Sequence, residues 1–292
     1  MRSASTTHFI YRWLTDKHLR IPLDKTCLIL SYLFLNYAIV FVDVVIAHSE
    51  NSFFPVYEWI PVIYSPLAAL AALLLLIAPR SGLIKLTYLV MMLAGVIIGI
   101  LGFGFHLQAS SAGNTVSYAG LISSNPVLAP LAFVALGLIG IVAGMDDRPT
   151  FRKYGFTNKT RYLILITAFW FFATGLVAFF DHAQTGFTNV YTWVPVYTGI
   201  FAGMVLLLQA FSRHEKGLSS LYIVTIALSI AVGLLGFAFH LTTDLAGRGV
   251  IVWARVFYEA PGLAPLLFSD IGVWAALVFL DPQPEATESA NI

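Results

Sequence analysis

Residues 86–107 read LTYLVMMLAGVIIGILGFGFHL, twenty-two positions with no acidic or basic side chain except His106. About 20 consecutive apolar residues cross the roughly 30 Å hydrocarbon core of a bilayer as a helix. A helix also satisfies its own backbone hydrogen bonds, which lipid cannot do. The end of this run, Leu101-Gly102-Phe103-Gly104-Phe105-His106-Leu107, returns as Leu235-Gly236-Phe237-Ala238-Phe239-His240-Leu241, 134 positions later. Upstream, Val56-Tyr57-Glu58-Trp59-Ile60-Pro61 returns as Val190-Tyr191-Thr192-Trp193-Val194-Pro195, and His48 as His182, at the same offset. Downstream, Leu128-Ala129-Pro130-Leu131 returns as Leu263-Ala264-Pro265-Leu266 at an offset of 135, one residue having entered the loop between. Blocks that share one spacing are the mark of an internal duplication.

Apolar windows predict eight spans, at 27–47, 61–78, 85–107, 127–145, 161–181, 194–211, 219–241 and 261–280. Four spans per copy is an even number, so both copies enter and leave on one side and the repeats are parallel. The predicted fold is an all-α membrane protein: eight transmembrane helices as two parallel-repeat four-helix bundles, with both termini cytoplasmic. The expected divisions are an N-terminal cytoplasmic segment (1–26), repeat 1 (27–146), a cytoplasmic linker (147–160), repeat 2 (161–281) and a disordered tail (282–292). Composition agrees, with 59% hydrophobic against 11% charged residues and a mean hydropathy of +0.83. A net charge of +1 without a basic face gives nucleic acid nothing to bind. The single Cys27 excludes an internal disulfide and any multi-cysteine metal site.

Fourteen of the sixteen Lys and Arg fall in the N-terminal segment, the 79–85 and 212–218 turns and the 146–161 linker; only Arg248 and Arg255 lie on the other side. The positive-inside rule therefore places both termini in the cytoplasm, most simply of a bacterial inner membrane. Tyr57, Trp59, Tyr191 and Trp193 form an aromatic belt at the opposite interface. Residues 1–26 are polar and basic rather than a signal peptide, with a short interfacial helix expected around Phe9 to Leu19. Gly95, Gly99, Gly140, Gly144, Gly233 and Gly236 fall at spacings that let helices approach closely.

Of seven histidines, His8, His18 and His214 sit in cytoplasmic segments, whereas His48, His106, His182 and His240 end the first, third, fifth and seventh spans. All four therefore lie near the outer face. Where first and third helices are diagonal partners, His48 faces His106 in one bundle and His182 faces His240 in the other. Two imidazoles opposed across a bundle are what bis-histidine haem ligation uses, and Gly102 and Gly104 below His106 leave room for a flat ring. The expected cofactor is haem b; copper, iron or zinc are the alternatives, since imidazole suits all three. Asp181 beside His182 is a candidate additional metal ligand, with Glu58, Asp244 and Glu259 in outer loops and Asp43 five residues before His48. All four histidines forming one shared site is a further arrangement. The structural alternative needs no cofactor: an interfacial histidine can cap the last helical carbonyls or reach water.

Asp43 and Asp270 lie within apolar spans, where a carboxylate is costly and marks a proton or polar path by default. Neither is repeated: their counterparts are Val177 and Ala135. The longest outer loops are Gln108–Asn125 and Thr242–Ala260, the second carrying an amphipathic stretch around Trp253. The functional expectation is an integral membrane electron-transfer protein, exchanging electrons between quinone and an extracytoplasmic partner and open to oligomerisation. The competing classes are a transporter or channel using Asp43 and Asp270, and a non-catalytic membrane subunit of a larger complex.

Overall fold

The computed structural model describes residues 6–8, 19–21, 25–112, 115–123, 126–145, 158–212, 216–245 and 263–279. Its helices are α1 (Lys25–Ser49), α2 (Trp59–Ile77), α3 (Gly82–Ala109), α4 (Tyr118–Ser123), α5 (Leu131–Ala143), α6 (Asn158–Ala183), α7 (Trp193–Phe211), α8 (Lys216–Leu245) and α9 (Leu266–Phe279). A single 3-10 turn, Val56–Glu58 or Val190–Thr192, leads into α2 and into α7. Two small antiparallel pairs complete the description, β1 (Thr6–His8) with β2 (Leu19–Ile21) and β3 (Ser111–Ala112) with β4 (Thr115–Val116).

Among the described residues, six helices are long and apolar enough to cross a membrane: α1, α2 with its leading turn, α3, α6, α7 with its leading turn, and α8. The other two predicted spans are shorter, at 13 residues in α5 and 14 in α9. Each is about 20 Å long, against roughly 30 Å of hydrocarbon. Proline accounts for the late start of each. Pro130 and Pro265 have no N–H to give a preceding turn, and each helix opens on tight i to i+3 bonds instead. Leu131 N donates to Leu128 O at 3.0 Å, and Leu266 N to Leu263 O at 3.0 Å. The N-terminal expectation also changes: Leu19, placed at the end of an interfacial helix, lies in a β-strand. Residues 9–18, the Trp253 stretch and the C-terminal tail lie outside the described residues.

Contacts run α1–α2–α3–α5 and back to α1, and α6–α7–α8–α9 and back to α6. Two four-membered rings result, in which α1 is diagonal to α3 and α6 to α8. Equivalent bonds tie the third helix of each ring to the fourth: Tyr88 Oη donates to Gly140 O and Tyr222 Oη to Ala275 O, each at 2.9 Å. Close approach falls where the glycines predicted it. A Cβ on Gly99 would stand 2.8 Å from Pro130 O, and one on Gly233 2.9 Å from Pro265 O. Outward faces are as apolar as the interior, with Ile77, Leu83 and Phe169 each more than 60% exposed; lipid suits that surface and water does not.

The rings meet along α5–α6 and α1–α9. At one end of this seam Lys25 Nζ donates to Thr160 Oγ1 (2.5 Å) and Val278 O (2.9 Å). Lys159 Nζ donates to Thr26 Oγ1 (3.2 Å), Ala143 O (2.9 Å) and Met145 O (3.3 Å). Each ammonium is buried, yet each caps carbonyls at the C-terminal end of a helix of the fourth position, where the macrodipole is negative.

Candidate functional site

The far ends of the two rings hold the four histidines. Because α1 and α3 are diagonal, their last turns bring His48 and His106 together, ring centres 6.4 Å apart and planes at 86°. The equivalent pair on α6 and α8, His182 and His240, stands at 6.2 Å and 77°. Two imidazoles bound on opposite sides of one metal ion at about 2.0 Å have ring centres about 6.3 Å apart. Both pairs match that separation.

In the first ring the outer nitrogens are held. His106 Nδ1 lies 3.0 Å from Pro126 O; a carbonyl only accepts, so Nδ1 carries the hydrogen and Nε2 keeps its lone pair. His48 Nδ1 lies 3.3 Å from Glu58 Oε2. This is a close contact without a well-formed hydrogen bond to Oε2. Asn51 Nδ2 donates to Glu58 Oε1 at 2.6 Å and fixes the carboxylate, which is 8% exposed. A metal-binding histidine characteristically gives its other nitrogen to a carbonyl or carboxylate, which orients the ring and raises its basicity. The second ring differs. Thr192 replaces Glu58, and His240 Nδ1 and Asp244 Oδ2 are buried without a partner among the described residues.

Among the described residues, no group of three or more His, Cys, Asp or Glu converges as a metal site. The four histidines form two pairs in separate rings, not one shared centre. Asp181 is half-buried beside His182 on α6 and completes no such group with the pair.

The last fully buried positions are Tyr37 on α1 and Gly99 on α3, whereas Ala183 on α6 and Asp244 on α8 are buried beside the second pair. Phe105, one residue before His106, is partly exposed and stacks on Tyr57 at 4.6 Å.

Asp270 lies at the seam between the rings. Its Oδ2 accepts from Tyr32 Oη at 2.8 Å and its Oδ1 from Asn36 Nδ2 at 3.3 Å, both donors on α1. Asp43 is exposed on the same face of α1, seven residues and so about two turns outward of Asn36. Within the second ring, Trp274 Nε1 on α9 donates to Thr167 Oγ1 on α6 at 2.8 Å.

Sequence reasoning missed the Lys25 and Lys159 clasp, although Lys25-Thr26 and Lys159-Thr160 stand at the same offset of 134. It missed Tyr32 and Asn36 as partners of Asp270 and the Pro126 carbonyl as partner of His106, for which no local signal exists. Fold and site together define a helical protein of membrane type with paired histidines at one end. No protein-family model matches the chain, nor does any curated protein or solved structure.

Proposed function

We propose that this chain is an integral membrane electron-transfer protein holding one b-type haem between the two histidines of each bundle. The observation that carries the proposal is the diagonal pairing of His48 with His106 and of His182 with His240 at 6.4 and 6.2 Å. Two protein ligands per bundle fall short of the three or four that zinc sites use. A haem iron needs only two, because the macrocycle supplies the remaining four.

The eight-span, parallel-repeat arrangement with cytoplasmic termini belongs to the same reading. Equivalent hydrogen bonds in the two rings and the reciprocal lysine clasp support the repeat, and the distribution of Lys and Arg supports the orientation. On that reading α5 and α9 complete their crossings through the turns at Pro130 and Pro265. Both haems then lie toward the outer face, in reach of an extracytoplasmic electron carrier, with quinone in the bilayer as the other redox partner. Haem b, rather than copper, iron or zinc alone, is the proposed cofactor.

Purified protein is expected to show oxidised-minus-reduced haem bands of which half is lost in His106→Ala, half in His240→Ala and all in the double variant. Bands of unchanged amplitude in folded double-variant protein would sink the ligand assignment.

A further inference from the structure

The two bundles are not alike inside. Where the first carries Leu33 and Val40 on α1, the second carries Thr167 and Thr174 on α6. Leu75 on α2 corresponds to Gln209 on α7, and Gly95 on α3 to Ser229 on α8. All four of these polar side chains are 4% exposed or less. At this depth Tyr37, Tyr64, Met92 and Phe133 of the first bundle correspond to Phe171, Thr198, Ile226 and Phe268 of the second, so that a threonine stands where the first has the Tyr64 ring.

Several of the second bundle's polar atoms are buried with no partner among the described residues: Thr174 Oγ1, both amide atoms of Gln209 and Ser219 Oγ. His240 Nδ1 and Asp244 Oδ2, one turn apart on α8, are in the same condition at the histidine end. A buried polar group left without a hydrogen bond is destabilising, and water bound between such groups removes that cost. The orphans are not scattered. Gln209 and Ser219 flank the α7–α8 turn at the basic end, Thr174 lies near the middle of α6, and His240 and Asp244 lie at the outer end.

We propose that the interior of the second bundle holds a chain of internal waters that carries protons between its basic end, at Gln209 and Ser219, and the His182–His240 pair, past Thr174 and Ser229. Ser219 to Ser229 is ten residues of α8 and Ser229 to His240 eleven, each about 15 Å. Four or five waters at hydrogen-bond spacing of about 2.8 Å bridge each distance. A water or hydroxyl gains a proton on one side as it releases one on the other, so the chain is regenerated by reorientation. The proton that arrives is taken by the Asp244 carboxylate. The path needs no haem and stands or falls separately from the cofactor assignment.

The test is proton entry into liposomes that contain the full-length protein and a trapped pH dye, driven by a potassium diffusion potential. Wild type is expected to admit protons several-fold faster than protein-free liposomes. Thr174→Val and Gln209→Leu should fall to the protein-free rate, whereas Thr174→Ser keeps the hydroxyl and should keep the flux. Thermal unfolding is the second measurement. If the orphans are dry, the apolar replacements remove an unsatisfied group and raise the melting temperature; if they are hydrated, they do not. Entry at the protein-free rate in wild type, unchanged flux in both apolar variants, or a raised melting temperature in both would each overturn the proposal.

Discussion

Replacing Lys159 by methionine tests the seam between the bundles. The substitution keeps the length of the side chain and removes its three donated bonds, to Thr26 Oγ1, Ala143 O and Met145 O. Thr26 can turn its hydroxyl to its own helix, but the two carbonyls at the end of α5 lose their cap. Each orphaned carbonyl costs about 1–3 kcal/mol. Relief from the cost of burying an ammonium that is 4% exposed, several kcal/mol in general, offsets part of the loss. The net expectation is a destabilisation of about 2–3 kcal/mol, or roughly 5–10 °C in melting temperature at 2–4 °C per kcal/mol. Lys85→Met, at an exposed position, is the control and should shift the midpoint by no more than about 2 °C. Unfolding in detergent, followed by circular dichroism, reads both. Lys159→Met melting with or above wild type would refute the reasoning, because it would mean that the buried charge costs more than its caps return.

Asp270→Asn should retain contacts with Tyr32 and Asn36 and change stability by less than about 1 kcal/mol, whereas Asp270→Leu strands two donors and should cost about 2–4 kcal/mol in the same assay. Gly99→Leu drives a side chain into Pro130 O and Val134; it should cost at least about 1–3 kcal/mol and, by displacing α3 from Pro126, reduce the haem bands of the first bundle, which spectra of folded protein would show. Glu58→Gln removes the carboxylate beside His48 while Thr192 already occupies the matching place in the second bundle. In a potentiometric titration only one of two components should move, toward higher potential, because an anion near a ligand favours the oxidised iron; movement of both or of neither counts against the assignment.

Much of this molecule is legible in the sequence because lipid imposes simple rules. Uncharged runs of about 20 residues become helices, and the offset of 134 ties His48 to His182 and His106 to His240 before any coordinates are seen. The alternation of short turns and long helices then makes α1 diagonal to α3, which is why the histidine pairs meet. The parts that stayed hidden depend on contacts between distant segments. Asp270 reads as a lone carboxylate until α9 is laid against Tyr32 and Asn36 of α1. Lys25 and Lys159 count as loop charge in any tally of basic residues, yet their ammonium groups turn inward to helix C-termini. Hydropathy also overran the fourth and eighth helices, because Val127 to Ala129 are apolar enough for a span while Pro130 breaks the hydrogen-bond pattern they would need. Pairing of β1 with β2 was unreadable for the same reason, since each strand is three residues long.

Haem content per chain bears most directly on the proposal that each bundle clamps a haem between its diagonal histidines. Pyridine haemochrome absorbance, set against protein concentration from amino-acid analysis, should give two haem b per chain in wild type, one in His48→Ala and one in His182→Ala. Protein purified from haem-replete cells that is folded, monodisperse and free of haem would contradict it.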